Sequence, residues 1–147
     1  MSRRVFKDTP VLDVSIRKFE KPTNPSFNML MRRFCISVGL LQPGDSRDSI
    51  VDLLTLFFKA GKVKRYLTIE EIYKYMLELK KGGCAQSNIR RNLLRLKDIG
   101  FVEKTGNGYR IREWLSLSEL IDEFARFKIQ PTLERIKEYA KALDNLK

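Results

Sequence analysis

Ser87-Asn88-Ile89-Arg90-Arg91-Asn92-Leu93-Leu94-Arg95-Leu96-Lys97, running on into Asp98-Ile99-Gly100, is the stretch on which the fold turns. Ile89, Leu93, Leu96 and Gly100 recur at offsets of 0, 4, 7 and 11. At about 100° per residue these positions share one narrow arc, so the spacing predicts a helix that packs this face inward. Ser87 is a residue type that caps a helix start, and Gly100 one that ends a helix. Arg91, Arg95 and Asn88 fall near the opposite side, with Arg90 and Lys97 on one edge and Asn92 on the other. Leu94 points partly outward, either onto a helix near the N-terminus or towards a partner. Leucines at this spacing are most often plain core, and a charged face is most often plain solvated surface.

The surroundings narrow the choice. Downstream, Phe101-Val102-Glu103-Lys104, a Thr-Gly-Asn-Gly turn and Tyr109-Arg110-Ile111-Arg112 read as a β-hairpin, with Asn107-Gly108 as a strong turn signal. Upstream, Thr68-Ile69-Glu70-Glu71 is a capping box in which hydroxyl and carboxylate each satisfy a backbone donor. It opens a helix through Ile72, Tyr73, Met76 and Leu79 that runs to Gly82-Gly83. Before it, Lys62 to Arg65 is a short basic connector, and Ile50, Leu53, Leu54 and Phe57 form the apolar face of a helix capped by Asp45 or Ser46 and ended by Gly61.

Nearer the start, residues 11–19 alternate: Leu12, Val14 and Ile16 against Asp13, Ser15 and Arg17, the pattern of a half-buried strand. Asn24 and Pro25 fit the N-cap and first position of a helix carrying Phe27, Leu30, Met31, Phe34 and Val38 to about Leu40. At the other end, Ser116 and Glu119 form a second capping box for a helix bearing Leu117, Leu120, Ile121 and Phe124. Pro131 restarts the helix, and Leu133, Ile136, Ala140 and Leu143 follow heptad spacing.

Charge is distributed unevenly over the 147 residues, which carry a net +11. Residues 1–45 hold eight basic and four acidic side chains, 46–115 fifteen and eight, and 116–147 six of each. The basic excess argues for a polyanionic partner, and the balanced C-terminal segment for self-association. There is no histidine, which removes the commonest general base and every Ser-His triad. Cys35 and Cys84 read as free buried thiols. Gly106 and Gly108 lack the Lys-Ser/Thr ending of a phosphate loop, Glu70 and Glu71 sit where a helix dipole favours them, and Phe57, Phe58, Tyr73 and Tyr75 read as core and rim aromatics. We therefore expect neither an enzyme nor a cofactor nor a metal. No apolar run reaches the roughly 20 residues of a membrane span, and the basic start meets Asp8 and Pro10 before any signal-like stretch, so a cytoplasmic location is expected.

The order of helix, extended connector, helix, turn, helix and hairpin resembles the winged-helix family of DNA-binding proteins. Thr68-Ile69-Glu70-Glu71-Ile72, Gln86-Ser87-Asn88-Ile89 with Leu93 and Leu96, Gly100-Phe101-Val102-Glu103-Lys104 and Tyr109-Arg110-Ile111 carry the resemblance, which covers residues 48–112. It implies a mainly α fold with a small hairpin wing, divided into an N-terminal extension (1–45), a DNA-binding domain (46–115) and C-terminal dimerisation helices (116–147). It also implies that Gln86, Ser87, Asn88, Arg90, Arg91, Asn92, Arg95 and Lys97 face the major groove of duplex DNA, with Lys104, Asn107, Arg110 and Arg112 on the wing. Leu117, Leu120, Ile121, Phe124, Leu133, Ile136, Ala140 and Leu143 would form the homodimer interface, unless that helical pair folds back on its own domain. The loop from Lys80 to Cys84 is longer and richer in glycine than the family's tight turn. The same fold also serves as a protein-assembly module, or binds structured RNA or a replication origin.

Overall fold

The structure is a computed structural model that describes residues 8–23, 26–45, 48–79 and 85–147. Helices α1 (Phe27–Ser37), α2 (Ser49–Lys62), α3 (Ile69–Glu78) and α4 (Gln86–Asp98) precede a hairpin of β1 (Val102–Thr105) and β2 (Gly108–Ile111). A 3-10 turn (Arg112–Trp114) leads to α5 (Leu117–Phe124), a π turn (Ala125–Ile129) and α6 (Gln130–Asp144). The class is therefore mainly helical with one small antiparallel sheet. No helix among the described residues is long and apolar enough to cross a membrane.

Helix α2 is the pillar, packing against α1, α3, α4 and β2. Leu53, Leu54 and Phe57 on it are fully buried, and the buried Thr55 hydroxyl donates to the Val51 carbonyl at 2.7 Å, so no polar group is orphaned there. Around it close Ile72 and Met76 of α3, Ile89, Leu93 and Leu96 of α4, Phe101, Val102 and Ile111 of the hairpin, and Leu120 and Phe124 of α5. The end of α4 follows from Gly100. With φ at +86° it lets its own N–H reach the Lys97 carbonyl (3.0 Å) and that of Phe101 reach Leu96 (2.9 Å), a Schellman stop that aims the chain straight into β1.

Hairpin register pairs Val102 with Ile111, Glu103 with Arg110, Lys104 with Tyr109 and Thr105 with Gly108. Gly108, at φ +126°, lies so close to the connector before α3 that a Cβ would stand 2.8 Å from the Leu67 carbonyl oxygen. That approach allows Leu67 and Tyr109 to exchange two backbone hydrogen bonds, of 2.9 and 2.8 Å, so the connector becomes a third, one-residue rung of the sheet.

Several expectations are corrected. Residues 11–19 are not a strand. No strand lies beside them to accept pairing; only Val14 and Arg17 are half-buried, and the Arg17 N–H reaches the Ser37 carbonyl at 2.9 Å. Helix α1 is capped by Ser26 and ends at Ser37, short of Leu40. Asp45 closes its own turn on the Gln42 N–H (3.1 Å), leaving Asp48 before α2, which runs through Gly61 to Lys62. Ser87 lies inside α4, whose N-cap is Ala85. Both capping boxes form as expected, at Thr68–Glu71 and Ser116–Glu119. Pro131 does not separate two helices: α5 and α6 join through the π turn, in which the Gln130 N–H reaches back to Ala125. The expected N-cap at Asn24-Pro25, the alternative cap Ser46, the 80–84 loop with Cys84, and Arg3, Arg4 and Lys7 lie outside the described residues.

Burial pushes the Cys35 thiol up to about 12 against the opposing pull of Arg95 and Arg32, so it stays protonated and inert. The carboxylates of the caps go the other way. The Thr68 N–H, then Arg65 and the Thr68 hydroxyl, hold Glu71 below its ordinary value, and the Ser116 N–H and hydroxyl do the same for Glu119. Groups with depressed folded-state values stabilise the fold above the unfolded value of about 4.3 and lose that contribution as pH falls through the folded one. A melting series from neutral to acid is thus expected to be flat to about pH 5 and to fall below it, and Glu71→Gln with Glu119→Gln should flatten the fall. An unchanged acid limb in that double variant would contradict the assignment.

Candidate nucleic-acid interface

Helix α4 is held from behind and along one edge. Ile89, Leu93 and Leu96 are buried against α2 and the hairpin, and Asn92 Nδ2 donates to Ser49 Oγ at 3.0 Å, tying the helix to the start of α2. What remains outward is a ridge of Ser87, Arg91, Leu94 and Asp98, all exposed and within about 60° of arc opposite the buried face. Gln86, Arg90 and Lys97 are exposed beside it, and Asn88 is half-buried. Arg90 is partly steered, its guanidinium lying 5.7 Å over the Tyr73 ring. Arg91 has no ion-pair partner among the described residues.

Arg95 belongs to a different surface. Its Nη2 donates to the Leu40 carbonyl at 2.6 Å and to Gly39 at 3.3 Å, just past the end of α1. Helical spacing places Arg95 opposite the core, but its long side chain folds over the edge to satisfy carbonyls that α1 leaves unpaired.

The hairpin divides in the same way. Lys104 and Asn107 are exposed; the lysine ammonium lies 5.6 Å over Tyr109, and the Asn107 N–H bonds Thr105 Oγ1 at 3.2 Å to hold the turn. Arg110 is locked in place: Nε donates to Glu103 Oε2 at 2.6 Å and Nη1 to the Tyr66 hydroxyl at 3.3 Å, and the guanidinium lies 5.6 and 5.1 Å over Tyr66 and Trp114. Burial raises the Glu103 carboxyl, but the Glu113 N–H and the Arg110 and Arg112 guanidinium groups more than reverse it, leaving it below its ordinary value. Arg112 donates to Glu123 of α5 at 2.5 Å. Both arginines are half-buried, and so are structural ties of the hairpin to its neighbours.

Tyr66, Trp114, Glu103 and Ser49 were missed as partners. For Glu103 the signal was present, because an Asn-Gly hairpin sets Glu103 directly opposite Arg110, where opposite charges pair. Nothing local points to the others. Among the expected dimer residues, Leu120 and Phe124 are buried in the domain core, and Leu117 and Ile121 pack against it. Leu133, Ile136, Ala140 and Leu143 are exposed, and α6 buries no residue at all.

No family model, no characterised protein and no solved structure matches this chain.

Proposed function

We propose that this protein is a winged-helix regulator of transcription that binds duplex DNA, with α4 in the major groove and the β1–β2 turn on the backbone or minor groove. The observation that carries the reading is the outward ridge of α4, backed by a rigid core and bordered by exposed Arg90, Arg91 and Lys97. A helix of this width enters the major groove, where arginine has the donor geometry for guanine edges and for phosphate. The start of α4 adds to it. Helices α3 and α5 begin with acidic capping boxes, whereas α4 begins at Ala85, which has no side-chain acceptor, with no acid in the first turn. Its free N–H groups and dipole suit a phosphate. Lys104 and Asn107 stand at the hairpin tip as a short wing would require.

A second copy of the chain completes the proposal. Leu133, Ile136, Ala140 and Leu143 keep heptad spacing along α6, and the neutral charge balance there lets two such arms meet without repulsion. Two-fold pairing would present two α4 helices to adjacent half-sites.

Fluorescence anisotropy with labelled duplex tests the reading. Arg91→Ala is expected to weaken binding by about 1–3 kcal/mol, and log affinity should fall steeply with log salt, the slope shrinking by about one when Lys104 is neutralised. Arg110→Ala and Arg112→Ala should instead lower the melting temperature, since each leaves a carboxylate unpaired. No duplex affinity at low salt would overturn the reading. Retention of a co-purifying protein in its place would favour an assembly module, and preference for structured RNA the third alternative.

A further inference from the structure

Leu94 is the one apolar side chain on the outward ridge of α4, 54% exposed between Arg91 one turn before it and Lys97 one turn after. The helix does not need it there, because Ile89, Leu93 and Leu96 already supply the buried face. Nor does α1 cover it: the link between α4 and the end of α1 is made by Arg95, whose guanidinium reaches the Leu40 carbonyl and so leaves the ridge to its neighbour. We infer that Leu94 is a specificity-determining residue that seats the 5-methyl group of a thymine in the major groove. This inference rests on the duplex-binding reading above.

The chemistry singles out that group. Base edges in the major groove present acceptors and donors everywhere except at the thymine methyl. A leucine pressed on a polar edge strips it of water without returning a hydrogen bond, which is unfavourable, whereas a methyl group loses nothing and gains contact. The flanking cations bring the helix to phosphate and base, and so force Leu94 against whatever edge lies below. Three helical residues advance about 4.5 Å, so the thymine would lie within one or two base pairs of the group that Arg91 holds.

The test starts from duplexes enriched from a random-sequence pool by the wild-type protein. The tightest is synthesised twice, once with thymine and once with deoxyuridine at every thymine position, and titrated against wild type and Leu94→Ala. Wild type is expected to bind the deoxyuridine duplex about three- to tenfold more weakly. Leu94→Ala, whose exposed position predicts unchanged melting, should bind both duplexes equally. Equal binding of the two by wild type, the same discrimination by Leu94→Ala, or a selected site without thymine would overturn the inference and leave duplex binding standing. Failure of wild type to enrich any duplex would overturn the reading beneath it, and the inference with it.

Discussion

Phe101→Ala is expected to cost about 3–5 kcal/mol of unfolding free energy, enough to consume much of a typical domain's total. The ring is fully buried and lies 5.9 Å from that of Phe34 in α1 and 6.3 Å from that of Phe124 in α5. Its backbone is equally committed: the N–H closes the end of α4 on Leu96, and the carbonyl accepts the Arg112 N–H at 3.0 Å. One side chain thus joins the N-terminal helix, the end of α4, the hairpin and the C-terminal helix, and truncation leaves a void that none of them can fill alone. Denaturant titration measures the loss. Phe127→Ala serves as control, since that ring is 53% exposed and its removal should change stability by about 0.5 kcal/mol or less. A loss at Phe101 no larger than the control's would mean that the four elements do not depend on this ring.

The second large effect concerns association. Leu133→Glu with Ile136→Glu is expected to convert a dimer of twice 17.2 kDa into a monomer, read by sedimentation or light scattering. Burying leucine-sized side chains contributes roughly 1.5–3 kcal/mol each, and a two-fold interface counts every change twice, so dissociation at least a hundredfold weaker is expected. Folding should be unaffected, because α6 buries nothing within its own chain. Duplex affinity should fall too, as the second binding module is lost. A wild-type monomer, or a dimer that survives both glutamates, would overturn the arm's proposed role.

What the sequence made legible follows a physical division. Ile89, Leu93 and Leu96 were readable because burial on a helix repeats with the backbone's own period, and Thr68–Glu71 because a capping box is complete within four residues. The hairpin was readable because Asn107-Gly108 fixes a register over a few residues. Residues 11–19 misled for the converse reason: alternation shows which side chains could share a face, but a strand also needs a neighbour, and the chain brings none there. Arg95 and Arg112 were placed on the interface because their partners, Leu40 and Glu123, come from elements whose approach no local pattern encodes. The C-terminal apolar period was read correctly but divided wrongly, since Leu120 and Phe124 meet their own core and Leu133 and Ile136 do not.

The π turn at Ala125–Ile129 shows how that division arises. A π turn holds one residue more than the α-helical path, as if a single residue had been inserted. Counting on from Leu120 and Phe124 in ordinary helical steps leads to Lys128 and Arg135, polar positions. With the extra residue absorbed, the same side of the rod carries Ile129, Leu133 and Ile136 instead. The turn therefore acts as a phase adjuster: it carries the apolar side of α5 past the edge of the domain and into open solvent in one unbroken line. A chain one residue shorter at this point would keep every side chain of the arm and turn its apolar line about 100° round the rod, towards a different neighbour.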